Sequence, residues 1–258
     1  MSINLELMKK KLAILKGEVK ENTSGSIFFT PEEGEQDIRI ITPADGDPFK
    51  EVFFHYNLPN VPGGLLCPKR NSGEDCPICE FASQLWREYL DTNDEQTKQL
   101  AKDLFVRSRY FSPIVVRGKE SDGIKLYGYG KKAYEMLLGY VLDPEYGDIT
   151  DVNEGTDIGL TYTKPQKKGA LPQTSMKVRR STSPLLADKS SIKNLLSTMP
   201  SIDDAFADKR KSAREIEKIL DEMMSSDGSA ESRSTETTHY NNTQSAVDSA
   251  FNDLKSAK

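Results

Sequence analysis

The 258-residue chain has room for one large domain or a compact domain with appendages, and its 36% hydrophobic content implies that part of it lies outside any packed core. No apolar run approaches 18 residues, and the N-terminus MSINLELMKKKLAILKG lacks a long apolar stretch before a small-residue cleavage site. These features argue against a membrane span and a secretory signal, and predict a cytoplasmic protein. The net charge of −5 disfavours binding a polyanion overall, so any such function needs a local basic patch.

Leu5, Met8, Leu12 and Leu15 recur at helical spacing and predict a helix over 3–16, with charge from Lys9, Lys10, Lys11 and Lys16. The segment ENTSGS that follows sets this helix apart as an arm, residues 1–24. Strands are predicted at 37–42 (DIRIIT) and 50–56 (KEVFFHY). A helix begins at Cys79, with Phe81, Leu85 and Tyr89 four residues apart, and a second covers about 94–104. Strands return at 107–116 and 124–130, a helix at about 131–142, strands at 157–164 and 174–183, and helices at about 189–199 and 202–224.

From Ser225 the chain turns polar and reads as a disordered linker, ending in the tip AVDSAFNDLKSAK with Val247, Phe251 and Leu254 at helical spacing. The pattern predicts an α+β fold with a mainly β core over residues 25–224 and flanking helices. A small Greek-key barrel of the oligonucleotide-binding (OB) type suits it.

All three cysteines and one of the two histidines fall within residues 55–79, HYNLPNVPGGLLCPKRNSGEDCPIC. His55, Cys67, Cys76 and Cys79 are spaced H-x11-C-x8-C-x2-C. In a reducing compartment, one imidazole and three thiolates make a closed tetrahedral set for one structural Zn2+. Four ligands leave no open position for a reactive water, and HYN at 55–57 lacks the His-x-Glu of zinc deaminases. The competing reading is three buried thiols and a core histidine. The zinc loop belongs to an inserted subdomain over about 50–104, where it would fix strand 50–56 against the helix from Cys79. His239, in the polar tail, reads as solvated.

Residues 105–134 concentrate Arg107, Arg109, Arg117, Lys119, Lys125, Lys131 and Lys132, interleaved with Phe105, Tyr110, Phe111, Tyr127, Tyr129 and Tyr134. Residues 161–183 add Lys164, Lys167, Lys168, Lys177, Arg179 and Arg180 with no acidic residue. Unpaired nucleic acid needs cations for its phosphates and flat rings for its bases, each stacked base contributing roughly 1–3 kcal/mol. Strand alternation puts Arg107 and Arg109 on one face, and Tyr127 and Tyr129 on one face. The glycines of YGYGKK predict that Tyr127 and Tyr129 are exposed and closely approached by ligand. Phe105, Phe111 and Tyr134 fit either a core or a surface role.

The order IRII, FFH, Cys…CPIC, RSRYFSPIVV, KLYGYGKKAYEML and DIGLTYTK resembles the single-stranded-DNA-binding (helix-destabilising) proteins of T-even-type bacteriophages, over about residues 37–180. The resemblance implies an OB fold with a zinc subdomain, a basic N-terminal segment for cooperative self-association and an acidic C-terminal tail for partners. It places His55, Cys67, Cys76 and Cys79 on the zinc ligands. Tyr110 and Phe111 fall on an aromatic pair of the DNA cleft, Tyr127 and Tyr134 on further cleft rings, and Arg107 and Arg109 in a basic stretch.

The family's self-association motif is a Lys/Arg run followed by Ser/Thr. Lys9–Lys11 lacks the Ser/Thr part, while Arg179-Arg180-Ser181-Thr182-Ser183 has both but lies late in the chain. The tail also departs from the family: Asp227, Glu231, Glu236, Asp248 and Asp253 are offset by Arg233, Lys255 and Lys258, so it is only weakly acidic.

The expected function is a non-enzymatic, cooperative, sequence-tolerant coat for single-stranded DNA in phage replication, recombination and repair. It would self-associate through its arm and recruit replication and recombination proteins through the tail over 225–258. A zinc-ribbon adaptor of replication or late transcription explains the loop and the tail but not the cationic aromatic strands. A metal-dependent nuclease finds no compact Asp/Glu/His cluster.

Overall fold

A computed structural model of the protein describes residues 26–165 and 172–227. Its elements in chain order are β1 (Phe28–Phe29), β2 (Gly34–Ile40), β3 (Lys50–His55), β4 (Leu65–Leu66), α1 (Pro68–Asn71), α2 (Pro77–Thr92), α3 (Glu95–Leu104), β5 (Arg107–Val116), β6 (Lys125–Tyr129), α4 (Lys131–Leu142), β7 (Thr156–Thr163), β8 (Gln173–Thr182), α5 (Lys189–Leu196), α6 (Ile202–Ala205) and α7 (Ala213–Asp227). The architecture is α+β. The predicted arm with Lys9, Lys10 and Lys11, the loop residues Lys167 and Lys168, and the tail beyond Asp227 lie outside the described residues.

β5 and α4 have the predicted bounds. The helix expected over 202–224 is instead α6, a 3-10 turn at Ala207–Lys209 and α7, which runs past the Ser225 boundary to Asp227. Local chemistry sets several ends. Pro77 opens α2, where its missing N–H costs nothing, and Asn93 closes it in the left-handed conformation at φ 55°. The Asp94 carboxylate caps α3 by accepting from Thr97 N at 2.8 Å, and Asp188 caps α5 through Ser191 N at 2.8 Å.

The sheet runs in the order β1-β6-β5-β2-β7-β8, with β3 on β5 and β4 on β3. Tertiary contacts divide the chain into two compact units. Among the described residues, the first comprises 26–46, Pro113–Tyr127, 144–165 and 172–200, and the second Asp47–Ser112, Gly128–Asp143 and 201–227.

In the first unit β1 pairs parallel with β6, while β2 pairs antiparallel with β5 and β7, and β7 with β8. Ile38, Ile40, Ile158, Leu160, Met176 and Val178 are buried along these ladders. Arg39 stands between the isoleucines of β2 and is also fully buried. Its Nε donates to Asp157 Oδ1 at 2.9 Å, and Arg117 Nε donates to the other oxygen at 3.0 Å. The remaining guanidinium donors reach Asp151, Ser183, Pro184 and Leu185.

In the second unit Lys50, Val52 and Phe54 of β3 lie opposite Phe111, Arg109 and Arg107 of β5. The helices supply a core of Ile78, Phe81, Ala82 and Leu85 from α2, Ala101 and Leu104 from α3, and Ile216 and Leu220 from α7. All are sealed from solvent, each large side chain contributing about 1.5–3 kcal/mol. This apolar floor includes Cys67 and Cys76 and so carries the cysteine loop.

Candidate metal centre and nucleic-acid interface

The end of β3 supplies His55, the residue before α1 is Cys67, the residue before α2 is Cys76, and Cys79 lies in the first turn of α2. Their ligand atoms all fall within 4.8 Å of one another. Cys67 Sγ lies 3.5 Å from Cys79 Sγ, and His55 Nε2 lies 3.4 Å from the sulfurs of both Cys76 and Cys79. A tetrahedral ion with metal–sulfur bonds of about 2.3 Å and metal–nitrogen bonds of about 2.0 Å separates its ligands by about 3.5–3.8 Å. The geometry therefore fits a zinc site, and the cluster can hold one metal ion.

His55 Nδ1 donates to the Leu104 carbonyl at 2.8 Å, which turns Nε2 toward the sulfurs and ties α3 to the cluster. Burial pushes the imidazole down, but hydrogen bonds with Cys67 and Cys76 outweigh it and raise it to about 9. Hydrogen bonds from Cys76 and Cys79 pull the Cys67 thiol well below its ordinary value. The Cys79 thiol is pushed up by the thiols of Cys67 and Cys76.

Two supports of this loop were not legible in the sequence. The Asn71 amide donates to the Phe53 and Cys67 carbonyls at 2.7 and 2.9 Å and accepts from Phe53 N at 3.0 Å, clamping β3 to α1. Gly64 has φ +79°, and a Cβ there would lie 2.5 Å from the His55 carbonyl oxygen. Gly64→Ala is therefore expected to displace the His55 backbone and weaken metal retention at least tenfold, measured by competition with a chromophoric chelator.

The cationic and aromatic residues divide by strand alternation. Arg107 and Arg109 are exposed and share a face of β5 with Phe111, which packs on Phe54 and Phe206 at centroid distances of 6.2 and 4.8 Å. Arg109 donates to the Gly128 carbonyl at 3.2 Å. Tyr110 points to the other face. There it stacks on Tyr134 at 3.9 Å with planes 12° apart and donates its hydroxyl to Glu51 at 2.9 Å. Tyr134 is half-buried.

Lys131 and Lys132 are exposed at the first two positions of α4, whose first turn has no acidic residue and whose N-cap, Gly130, offers no side chain. Lys131 makes one long contact, 3.6 Å, to Glu135.

The expected exposure of Tyr127 and Tyr129 is corrected, since each is only 4% exposed. Tyr127 packs edge-on against Phe29 at 5.4 Å, and the Tyr129 hydroxyl bonds Ser112 Oγ at 2.6 Å. Gly128 between them serves packing: a Cβ would lie 2.5 Å from Phe111 Cε1, so the group that approaches the backbone is a neighbouring ring.

Lys125, Lys177, Arg179 and Arg180 belong to the first unit. Lys125 donates to the Ser26 carbonyl at 2.8 Å. Lys177 and Arg180 are exposed on β8. Arg179 is engaged by Glu35 at 2.6 Å and Asp37 at 2.7 Å. No described helix is long and apolar enough to cross a membrane.

Residues 32–224 match the family model described as gp32 DNA binding protein like. No curated protein matches the chain at a significant level.

Proposed function

Because the chain belongs to the gp32-like DNA-binding protein family, we propose that it is a non-enzymatic, sequence-tolerant coat for single-stranded DNA in phage replication, recombination and repair. The reading includes an OB-type core, zinc as the resident ion, and cytoplasmic action. Residues 1–24 would act as the self-association arm through Lys9–Lys11, and the tail beyond 225 would recruit replication and recombination proteins.

The observation that carries it is the inverted charge at the start of α4. A helix N-terminus already holds partial positive charge and normally attracts acidic residues. Here two exposed lysines add to it without a capping side chain. Within the helix the long contact of Lys131 with Glu135 at 3.6 Å offsets this in part, and a phosphate backbone would supply a further anion. Tyr134 lies three residues beyond Lys131, on the same side of the helix, so a cation and a half-buried ring stand together. Single-stranded DNA offers both a phosphate and an unstacked base.

Bound zinc would supply a closed crosslink joining β3, α1 and α2. The chain's own residues do the binding: Arg107, Arg109, Lys131 and Lys132 take phosphates, and tyrosine rings take bases.

The test is the salt dependence of binding to oligothymidylate. Each neutralised phosphate contributes about −0.7 to the log–log slope. Lys131→Ala with Lys132→Ala is expected to flatten the slope by about 1.4. Arg179→Ala should change it by less than either lysine, because Glu35 and Asp37 already serve as its counter-ions. A slope near zero, or no tyrosine quenching with poly(dT), would favour a protein-binding adaptor instead.

A further inference from the structure

Tyr110 lies on the opposite face of β5 from Arg107 and Arg109, so it is not the ring beside them. Directly opposed residues of an antiparallel pair share a face. Arg107 therefore stands beside Phe54 and Arg109 beside Val52, while Tyr110 stands beside Glu51.

Tyr56, immediately after β3, continues the arginine face. Its ring stacks on Phe54 at 5.7 Å with planes 24° apart, and Phe54 is braced edge-on by Phe206 at 5.2 Å. Gly64 closes in as well: a Cβ there would lie 2.7 Å from Tyr56 Cδ1. Tyr56 is half-buried, so the ring is held in place but keeps accessible surface.

We propose that Tyr56 is a base-contacting residue of the single-stranded-DNA site, its ring working with Arg107 and Arg109 on one face of the β3–β5 pair. This inference rests on the single-stranded-DNA reading above. The arginines meet phosphates, and the ring, already fixed by Phe54, meets a base with little further loss of rotamer freedom. Arg109 needs only to release a carbonyl contact of 3.2 Å to turn toward a phosphate.

The experiment is titration of the full-length protein with labelled oligothymidylate by fluorescence anisotropy over a range of salt. Tyr56→Leu is expected to weaken binding about tenfold, within the range for one lost stacked base, and to leave the salt slope unchanged. Arg107→Ala with Arg109→Ala should instead flatten the slope by about 1.4. Tyr56→Phe keeps a stacking ring and should recover most of the affinity lost in Tyr56→Leu, while reducing tyrosine quenching by poly(dT).

A folded Tyr56→Leu protein that binds within twofold of wild type overturns the inference. So does undiminished quenching in Tyr56→Phe, which decides the matter even if the leucine variant fails to fold. Failure of the wild-type chain to bind oligothymidylate would remove the single-stranded-DNA reading itself, a result distinct from either.

Discussion

Stripping the metal with a chelator, or replacing Cys76 with alanine, is expected to lower the thermal midpoint by about 10–20 °C. Structural zinc in small domains contributes about 10–16 kcal/mol of apparent binding energy. Here part of that is retained without metal, because Ile78, Phe81 and Leu85 still bury α2 against α3 and α7. A loss on the order of 5 kcal/mol, at about 2–4 °C per kcal/mol for a domain of this size, gives the stated range. Acid should act in the same direction, since protons compete with the metal for three sulfurs and an imidazole.

The effect should reach nucleic-acid binding. His55 ends the strand that places Phe54 beside Arg107, and Tyr56 follows it directly. Thermal melts with and without chelator, alongside a colorimetric assay of the released metal, check this. A midpoint that stays put after stoichiometric metal loss would reduce the cluster to three free thiols and a core histidine.

The metal set was legible because its information is chemical and local: few residue types bind soft metals, and their spacing permits convergence. The bounds of β5 and α4 were legible for a similar reason, since RSRYFSPIVV and KKAYEMLLGYVL each carry one clear periodicity. The roles of the rings were not. YGYG reads as a ligand platform, yet the same pattern suits a strand whose missing Cβ admits a neighbouring ring, and the position of Phe111 decides for the second.

The pairing of Arg109 with Val52 and Tyr110 with Glu51 depends on register, which fixes the face each residue meets and which no single strand contains. Tyr56 follows the cluster residue His55 and belongs to no cationic run, so its place beside Arg107 and Arg109 is set by register alone. Arg179 read as a free cation because its counter-ions, Glu35 and Asp37, are far away in sequence. Arg39 did leave a signal, a lone cation inside the apolar run IRII, and Asp157 at the start of another buried strand was its natural partner.

That pair supports the second large effect. Asp157→Asn is expected to destabilise the protein by about 3–5 kcal/mol, the cost of breaking a buried ion pair from one side. Arg39 is wholly buried, and burial is the main influence lowering its pKa, with the charge of Asp157 the first to oppose it. A guanidinium cannot escape by losing its proton at ordinary pH. One carboxylate serves both Arg39 and Arg117, at 2.7 and 3.0 Å. Its removal leaves the buried Arg39 bonded to neutral oxygens of Asp151 and Ser183, and Arg117 beside the carbonyls of Pro184 and Leu185 with the Glu120 carboxylate 3.8 Å away.

Arg39→Met should cost less, about 1–2 kcal/mol, because it removes the buried charge and leaves Asp157 paired with Arg117. The double variant should fall short of the sum by 0.5 kcal/mol or more, since the two residues share one network. Urea melts of the four proteins measure the cycle. Additive losses, or an Asp157→Asn midpoint within about 2 °C of wild type, would mean that the remaining oxygens satisfy both guanidiniums and that the carboxylate is dispensable.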